Sequence, residues 1–362
     1  MMWMGMKRAL LLCLILGFLI GSWCVTAQAQ GGGEDWTKPL NLSQTQQSSD
    51  SPLIISDSGG TVHVFWSEDV KGELLWEERA PLLGGTAIFY TRWDGTSWTV
   101  PVDILTSPTG AAVGPDGAVV DSEGRLYLTF GNHCSWAPSS DADSSPAWAS
   151  PVAFAPAVYD SKITIDRAGH LHIVYAQRYP DGIYHTSSTD GGRTWSDAVR
   201  ISSRFVEEAT RHERVALALD GRGRLHVGWI QRGGEAFDET SVWYAQSTDG
   251  GQTWTKPLKV AERGPNEFVN DWVHVIARGE DEIHLVWVGG QANRLHQWSS
   301  DGGQTWSGPF HILGDLYAVA GGDGFAIDGA GTLHMVTQLR YPGALWHAYG
   351  MEQSGPIQLP ST

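Results

Sequence analysis

Pairs of short apolar segments joined by tight polar turns recur along the chain from about residue 44 onward. In each pair an apolar segment ends in aspartate, a glycine-containing turn follows, and the next segment opens with an aliphatic residue and then His or Tyr. Such segments, rich in Val, Ile, Trp and Tyr and bounded by Gly and Asp, predict β-hairpins. No segment shows a sustained helical period. The aromatic position of the six hairpins is His63, Tyr127, His172, His226, His284 and His334, and Arg278 replaces the aspartate of the fifth.

A second repeat follows each of several hairpins. Residues 188–195 (STDGGRTW) return as 247–254 (STDGGQTW) and 299–306 (SSDGGQTW), and a shortened copy occupies 93–98. The three aspartates are 59 and 52 residues apart, which is the length of a four-stranded propeller blade with its loops. Proline often stands three residues after a tryptophan, as at an outer edge strand. The sequence therefore predicts an all-β fold, a six-bladed β-propeller of four-stranded antiparallel blades.

The repeated motif S-x-D-x-G-x-T-W resembles the Asp-box, or BNR repeat, of the sialidase (neuraminidase) superfamily, and the resemblance extends over essentially the whole mature chain. It implies a sialidase-like propeller in which these turns join the outer two strands of a blade, on the face opposite the active site. The motif's chemistry suits a turn, because aspartate accepts local hydrogen bonds, glycine adopts left-handed conformations and tryptophan packs between sheets. We expect structural roles for Asp94, Asp190, Trp195, Asp249, Trp254, Asp301 and Trp306.

The N-terminal 29 residues are typical of an export signal. Lys7 and Arg8 precede an apolar run, and residues 27–29 (AQA) form a small-x-small cleavage site. The run is too short to favour a spanning helix, and the bulky Trp23 argues against a lipid-anchored Cys24. We therefore predict a secreted protein, cleaved near Ala29, with residues 30–362 forming a single propeller domain.

Closure of the ring has two candidate strands. Residues 36–43 look like an outermost strand without inner strands of their own, so we predict that they complete blade six. The tail at residues 356–359 is an alternative for the same place.

Charge and cysteine content restrict the ligands. The formal net charge is −16 and becomes about −18 once the signal is removed, which disfavours nucleic acid and anionic membranes and favours a soluble monomer. Cys134 alone remains in the mature chain, and no Cys/His cluster has zinc-like spacing. We expect no disulfide, metal or cofactor. The repeated histidines are expected to bridge buried strands, because a catalytic His would occur once.

Three arginines occupy one repeat position near the loop-rich face. Arg178, Arg232 and Arg340 each lie seven residues after the residue that opens a second strand. Rotational symmetry would bring them toward a common mouth, where guanidinium groups bind carboxylates at two points. Solvated strand ends would also explain them. With Tyr179 and Tyr341 they form the predicted ligand-binding set.

The resemblance implies a tyrosine nucleophile with a glutamate, a carboxylic acid/base and three arginines around the substrate carboxylate. Glu213 and Arg232 resemble the family's glutamate and second arginine. Asp69 is the candidate acid/base, with Glu73, Glu77 and Glu78 as alternatives. Tyr317 is the candidate nucleophile, although it lies a few residues early. Residues 50–52 (DSP) hold no arginine where the family has its first.

We therefore hypothesise a secreted sialidase-like propeller that binds glycans or another small-molecule or surface ligand on its loop-rich face, with catalysis lost or altered. The alternatives are an active glycoside hydrolase of the exo-α-sialidase type and a protein-interaction propeller. Fold alone does not decide among them, because propellers perform all three functions.

Overall fold

The described strands form six antiparallel sheets that follow one another along the chain. A computed structural model describes residues 40–45, 47–70, 85–106, 113–203, 211–234, 239–264, 271–289, 293–313, 324–327, 332–338 and 345–350. Residues 43–362 constitute one compact unit. Within the described ranges the only helical elements are two short 3₁₀ turns, Ser139–Asp141 and Ser145–Ala147. No helix there is long and apolar enough to cross a membrane.

The first three sheets each contain four strands in chain order. Sheet 1 comprises β1 (Ser49–Ser56), β2 (Val62–Val70), β3 (Gly85–Trp93) and β4 (Val102–Thr106). Sheet 2 comprises β5 (Gly117–Val120), β6 (Arg125–Phe130), β7 (His133–Pro138) and β8 (Val152–Ala153). Sheet 3 comprises β9 (Asp160–Ile165), β10 (Leu171–Arg178), β11 (Asp181–Ser188) and β12 (Val199–Arg200).

The remaining sheets repeat this order. Sheet 4 comprises β13 (Arg211–Leu219), β14 (Leu225–Gly233), β15 (Glu239–Ser247) and β16 (Leu258–Glu262). Sheet 5 comprises β17 (Asp271–Arg278), β18 (Glu282–Gly289), β19 (Asn293–Ser299) and β20 (Phe310–His311). Sheet 6 has three strands within the described residues, β21 (Gly324–Ile327), β22 (Leu333–Gln338) and β23 (Leu345–Gly350).

The first strands of successive sheets lie side by side. Contacts join β1 to β5, β5 to β9, β9 to β13, β13 to β17 and β17 to β21. The sheets are thus arranged like successive blades of a propeller, with the first strand of each innermost. The predicted closing segments lie mostly or wholly outside the described residues, so six-bladed closure stays a prediction.

Second strands are apolar because they are covered on both faces. In β10 seven consecutive residues from Leu171 are buried, and β18 is buried from Ile283 to Gly289. Trp229 of β14 and Trp287 of β18 are fully buried at equivalent positions. Burial on both sides explains continuous apolar runs in place of strict alternation.

In sheets 1 to 4 the aspartate that follows the first strand organises the hairpin turn. One carboxylate oxygen of Asp57 accepts hydrogen bonds from the backbone N–H of Gly59 and Thr61, both at 2.9 Å. Asp121, Asp166 and Asp220 accept from the residues two and four positions further on in the same way. The repeated aspartate is therefore explained by turn geometry.

The repeated motif of residues 188–195, 247–254 and 299–306 forms the turn between third and fourth strands. Asp190 accepts hydrogen bonds from the Ser188 hydroxyl (2.8 Å), the Thr194 hydroxyl (2.7 Å) and the Thr194 N–H (2.9 Å). Asp249 and Asp301 make the same set. The threonine hydroxyl and the backbone amides lower the pKa of each of these carboxyls to about 2. Asp94 has a similar turn with Thr96 and Ser97.

The motif tryptophan packs on the preceding sheet in three successive sheets. The ring centroid of Trp195 lies 5.9 Å from that of Phe154, which follows sheet 2. Trp254 contacts His185 of sheet 3 at 5.6 Å, and Trp306 contacts Tyr244 of sheet 4 at 4.9 Å. All three are edge-to-face contacts, which add to the burial of apolar surface between sheets.

The repeated histidines of sheets 1, 3, 4 and 5 are buried and join neighbouring strands, as predicted. His63 and His226 each hydrogen-bond a tyrosine of the third strand, Tyr90 at 2.7 Å and Tyr244 at 2.6 Å. In sheets 3 and 5 the equivalent partner is a second histidine. There His172 bonds His185 at 3.1 Å and His284 bonds His296 at 3.0 Å.

These histidine pairs predict acid-sensitive stability. Burial, together with the charge of the partner histidine, lowers the pKa of His185 and His296 to about 3. A neutral imidazole favoured by the fold stabilises the protein above the unfolded pKa of ~6.5, and this contribution is lost as pH falls toward 3. At pH 4.5 each histidine is expected to cost about 2–3 kcal/mol.

Replacing His185 by tyrosine tests this expectation, because sheets 1 and 4 carry tyrosine at that position. Urea unfolding at pH 7 and pH 4.5 should show a smaller loss of stability in His185→Tyr than in wild type. Equal losses in the two proteins would contradict the assignment.

Candidate functional site

The two ends of the sheets differ in character. Because the strands are antiparallel and in chain order, the aspartate turns between third and fourth strands lie at one end. The beginnings of the first strands and the connections from second to third strands lie at the other. We call this second end the loop-rich face, and it carries the charged and aromatic side chains described below.

An acidic residue stands at the start of the first strand in five sheets. Four of them face equivalent residues of the second strand: Asp50 faces Ser67, Asp160 faces Ala176, Glu213 faces Ile230 and Asp271 faces Val288. Asp116 precedes β5, and its carboxyl takes a hydrogen bond from the backbone N–H of Gly131, the equivalent residue of sheet 2. These five carboxyls therefore occupy one repeat position at the loop-rich face.

Glu213 and Arg232 are brought together in sheet 4. Their side chains form an ion pair at 3.0 Å between Nε and Oε2, and Arg211 approaches the other carboxylate oxygen at 3.4 Å. Glu213 is only 5% exposed. A carboxylate this deeply buried requires a cation beside it, and Arg232 supplies one.

The same cluster reaches into sheet 5. Arg232 also contacts Asp271, with 3.2 Å between Nη2 and Oδ2. The Nε of Arg214 donates to the other oxygen of Asp271, also at 3.2 Å. Glu213, Arg232, Asp271 and Arg214 thus form a continuous chain of alternating charges across two sheets.

A second polar cluster joins sheets 2, 3 and 4. Lys162 Nζ lies 2.9 Å from the carboxylate of Asp160 and 3.1 Å from the backbone carbonyl of Asp116. The other oxygen of Asp160 accepts the N–H of Val215 at 3.0 Å. Burial raises the pKa of Asp116 to about 7; the Lys162 charge opposes this rise and the Asp160 charge adds to it.

Exposed aromatic rings accompany these charges. Tyr159, Tyr179 and Trp272 are 39%, 85% and 37% exposed and lie at the loop-rich face. The guanidinium of Arg178 lies 4.4 Å from the ring centroid of Tyr159, and that of Arg214 lies 4.2 Å from that of Trp272. Two of the three rings are thus fixed by cation–π contacts.

Only some of the predicted site residues contact one another in the structure. Glu213 and Arg232 are joined directly, whereas Arg178 and Tyr179 lie at the exposed end of β10. Asp69 is exposed at the end of β2, and its backbone N–H donates to Ser48. Tyr317, Arg340 and Tyr341, with the alternatives Glu73, Glu77 and Glu78, lie outside the described residues. The catalytic and ligand roles of all these residues stay predictions.

Sequence reasoning missed Asp116, Asp160, Lys162 and Trp272. A usable signal existed for the acidic residues, since in these five repeats each lies five to seven residues before the aspartate, or Arg278, that begins the hairpin turn. The equivalence of these acidic residues becomes clear only from the strand register, because bulges change the number of residues between each of them and the hairpin turn.

Metal and thiol chemistry find no support in the described part of the chain. No group of three His, Cys, Asp or Glu side chains there is placed to hold a metal ion. Cys134 is fully buried, and burial raises the pKa of its thiol to about 12. Such a thiol is unreactive near neutral pH.

Comparison with known proteins gives a likeness of fold. No protein-family model matches the chain, and no curated protein matches it. A polysaccharide lyase, an ulvan lyase bound to -[GlcA(1-4)Rha3S]-, superposes with a TM-score of 0.63 at 12% identity, over 87% of this chain and 84% of the lyase. A protein of unknown function from Dyadobacter fermentans gives a TM-score of 0.53 at 14% identity, over 85% and 94%. The NanB sialidase of Streptococcus pneumoniae gives 0.43 at 14% identity, over 89% and 62%.

Proposed function

We propose that this chain is an exported, six-bladed, sialidase-like β-propeller of the Asp-box type that binds glycans through its loop-rich face, with catalysis lost or altered. A signal cleaved near Ala29 would leave one soluble domain, residues 30–362, which we expect to be a monomer. The observation that carries the proposal is the set of exposed aromatic rings beside fixed charged groups at that face.

The aromatic rings argue for a carbohydrate ligand. Exposed aromatic side chains that share one face of a protein are more informative than single scattered ones, because exposed apolar patches mark binding sites. Sugar rings present an apolar face that stacks on aromatic side chains, while their hydroxyls need hydrogen-bonding groups at the edge. Tyr159 and Trp272 have such groups beside them in Arg178 and Arg214. The likeness of fold to a lyase that binds an acidic oligosaccharide is consistent with this assignment.

The argument for altered catalysis rests on the missing arginine. Ser51 precedes Pro52 at the start of the first repeat, where the resemblance to sialidases leads us to expect the first arginine of the carboxylate site. Losing one charged hydrogen-bond partner typically costs two to three powers of ten in rate. We therefore expect a fluorogenic sialoside to be cleaved slowly or not at all.

A second candidate, glycan cleavage, is favoured by Asp116. A carboxyl whose pKa is about 7, beside a second carboxyl that contacts Lys162 and accepts the Val215 N–H, resembles the arrangement of an acid and base pair. Rapid turnover of a glycoside by wild type, abolished by Asp116→Asn, would place this activity first.

Removal of one exposed ring tests the binding function. Tyr179→Ala is expected to weaken binding of a glycan selected on an array at least tenfold by calorimetry, because stacking on the ring is lost. The melting temperature should not change, since Tyr179 is 85% exposed.

The matched control is Val100→Ala, an exposed apolar residue near the Asp94 turn at the opposite end of sheet 1. It should leave binding unchanged. Failure of wild type to bind any glycan on a broad array would reject the proposal. The hypothesis of a protein-interaction propeller would then remain.

A further inference from the structure

Three first strands contain a bulge at the loop-rich face, immediately after the acidic residue. The register shifts lie between Asp50 and Leu53, between Glu213 and Ala216, and between Asp271 and Val273. In each bulge one residue has a left-handed backbone: Ser51 with φ 51°, Arg214 with φ 53° and Trp272 with φ 44°. The bulge is thus a repeated feature of the fold.

Two of these bulges have a large side chain, Arg214 or Trp272, at the left-handed position. A side chain with a Cβ is strained in the left-handed region, where glycine is the least costly residue. Ser51 is a small side chain at the same bulge, so the backbone does not require a large one. Arginine and tryptophan at the other two keep the strain and place long side chains at the face. Strain of this kind concentrates at ligand sites.

The two side chains form one unit. The guanidinium of Arg214 lies 4.2 Å from the ring centroid of Trp272. Its Nε donates to Asp271 at 3.2 Å, and Asp271 is itself held by the N–H of Trp272 at 3.0 Å. Contacts from two adjacent sheets therefore hold the Arg214 guanidinium against the Trp272 ring. Among the described residues, the two terminal nitrogens of Arg214 make no hydrogen bond.

The charged groups around Arg214 and Trp272 favour an anionic ligand. Arg232 is neutralised by Glu213 and Asp271 on two sides. The terminal nitrogens of Arg214 are different, since they form a planar fork that matches a carboxylate or a sulfate. Trp272, 37% exposed, supplies an adjoining surface on which a sugar ring can stack.

We propose that Arg214 and Trp272 form a subsite for an acidic saccharide unit, with the sugar ring on the Trp272 indole and its carboxylate or sulfate on the terminal nitrogens of Arg214. The inference rests on the proposed glycan-binding function and narrows it to anionic glycans. An acidic protein thereby captures an anion through one locally exposed cation.

Three probes distinguish the parts of this subsite. They are a glucuronate-containing oligosaccharide, the same oligosaccharide after carboxyl reduction, and the reduced form carrying sulfate esters. Calorimetry with the mature chain should show at least tenfold weaker binding of the uncharged form than of either charged form. The tighter of the two charged forms identifies the preferred anion.

Glycine variants separate binding from folding. Arg214→Gly and Trp272→Gly relieve the backbone strain, so the melting temperature should stay within a few degrees of wild type while binding of the charged probes falls at least tenfold. Arg214→Lys keeps the charge without the fork and should lose part of the affinity. Ser51→Gly relieves the same strain in sheet 1 and should leave binding unchanged. Trp272→Asn, which tolerates the left-handed region, replaces Trp272→Gly if the latter does not fold.

Two results would overturn the subsite. One is equal affinity of wild type for the charged and uncharged probes; the other is full binding by Arg214→Gly and Trp272→Gly. In either case a loss of binding in Tyr179→Ala would leave the general glycan function standing. No binding of any probe by wild type, together with an empty glycan array, would reject both proposals.

Discussion

Replacement of Gly251 by alanine is expected to destabilise the protein by about 3–5 kcal/mol. Gly251 has φ 86°, where a Cβ is strained. A Cβ built there would also overlap the ring of His185 in the preceding sheet. That ring has no room to move, since it is buried, bonded to His172 and in contact with Trp254. The substitution therefore combines backbone strain with overpacking.

The adjacent glycine provides a matched control. Gly250 has φ 71°, but its nearest neighbour to a built Cβ is the His172 ring at 3.9 Å, an ordinary contact. Gly250→Ala should cost only the backbone strain, about 1–2 kcal/mol. Urea unfolding followed by circular dichroism measures both. Equal losses would show that the turn does not interlock with sheet 3 as described.

Removal of Arg232 is expected to cost a similar amount, about 3–5 kcal/mol, through charge. The guanidinium is 15% exposed and is the partner of both Glu213 and Asp271. Arg232→Ala would leave the buried Glu213 carboxylate with only the longer contact to Arg211. An uncompensated charge in a buried site is far more costly than the loss of an exposed pair.

A second variant and a control test whether the unpaired charge of Glu213 causes the loss of stability. Arg232→Ala combined with Glu213→Gln should recover most of the lost stability, because the unpaired charge is gone. The control is Arg222, which is half-exposed and paired with Glu280 and Asp281. Arg222→Ala should lower the free energy of unfolding by less than about 1 kcal/mol. If the double variant is no more stable than Arg232→Ala, the loss comes from packing and the electrostatic explanation is wrong.

Much of the fold could be predicted from the sequence because its repeats carry local physical causes. The hairpin aspartates of sheets 1 to 4 accept hydrogen bonds from the amides two and four residues further on, so each of them marks a turn. The second strands are apolar along their length, and the repeated histidine lies within them. The order of antiparallel sheets follows directly from these local units.

The candidate site was harder to predict because its contacts are not local. Glu213 and Arg232 share a sheet and were paired by the resemblance, whereas Asp271 joins them from the next sheet. The bulges that turn Arg214 and Trp272 outward depend on register. A left-handed arginine or tryptophan leaves no signature in a sequence, since local preference argues against it.

Four tryptophan contacts between sheets point the same way along the chain. Trp195, Trp254 and Trp306 each pack on a sheet that precedes their own, and Trp148 packs in the same manner on Phe65 and Tyr90 of sheet 1. During synthesis, every such ring emerges after its receptor surface has been made. The sheets can therefore dock in the order in which they leave the ribosome, and none must wait for a later one to cover that contact. Loss of the last sheet from the chain would leave all the earlier contacts intact, whereas loss of the first would remove the surface on which Trp148 docks.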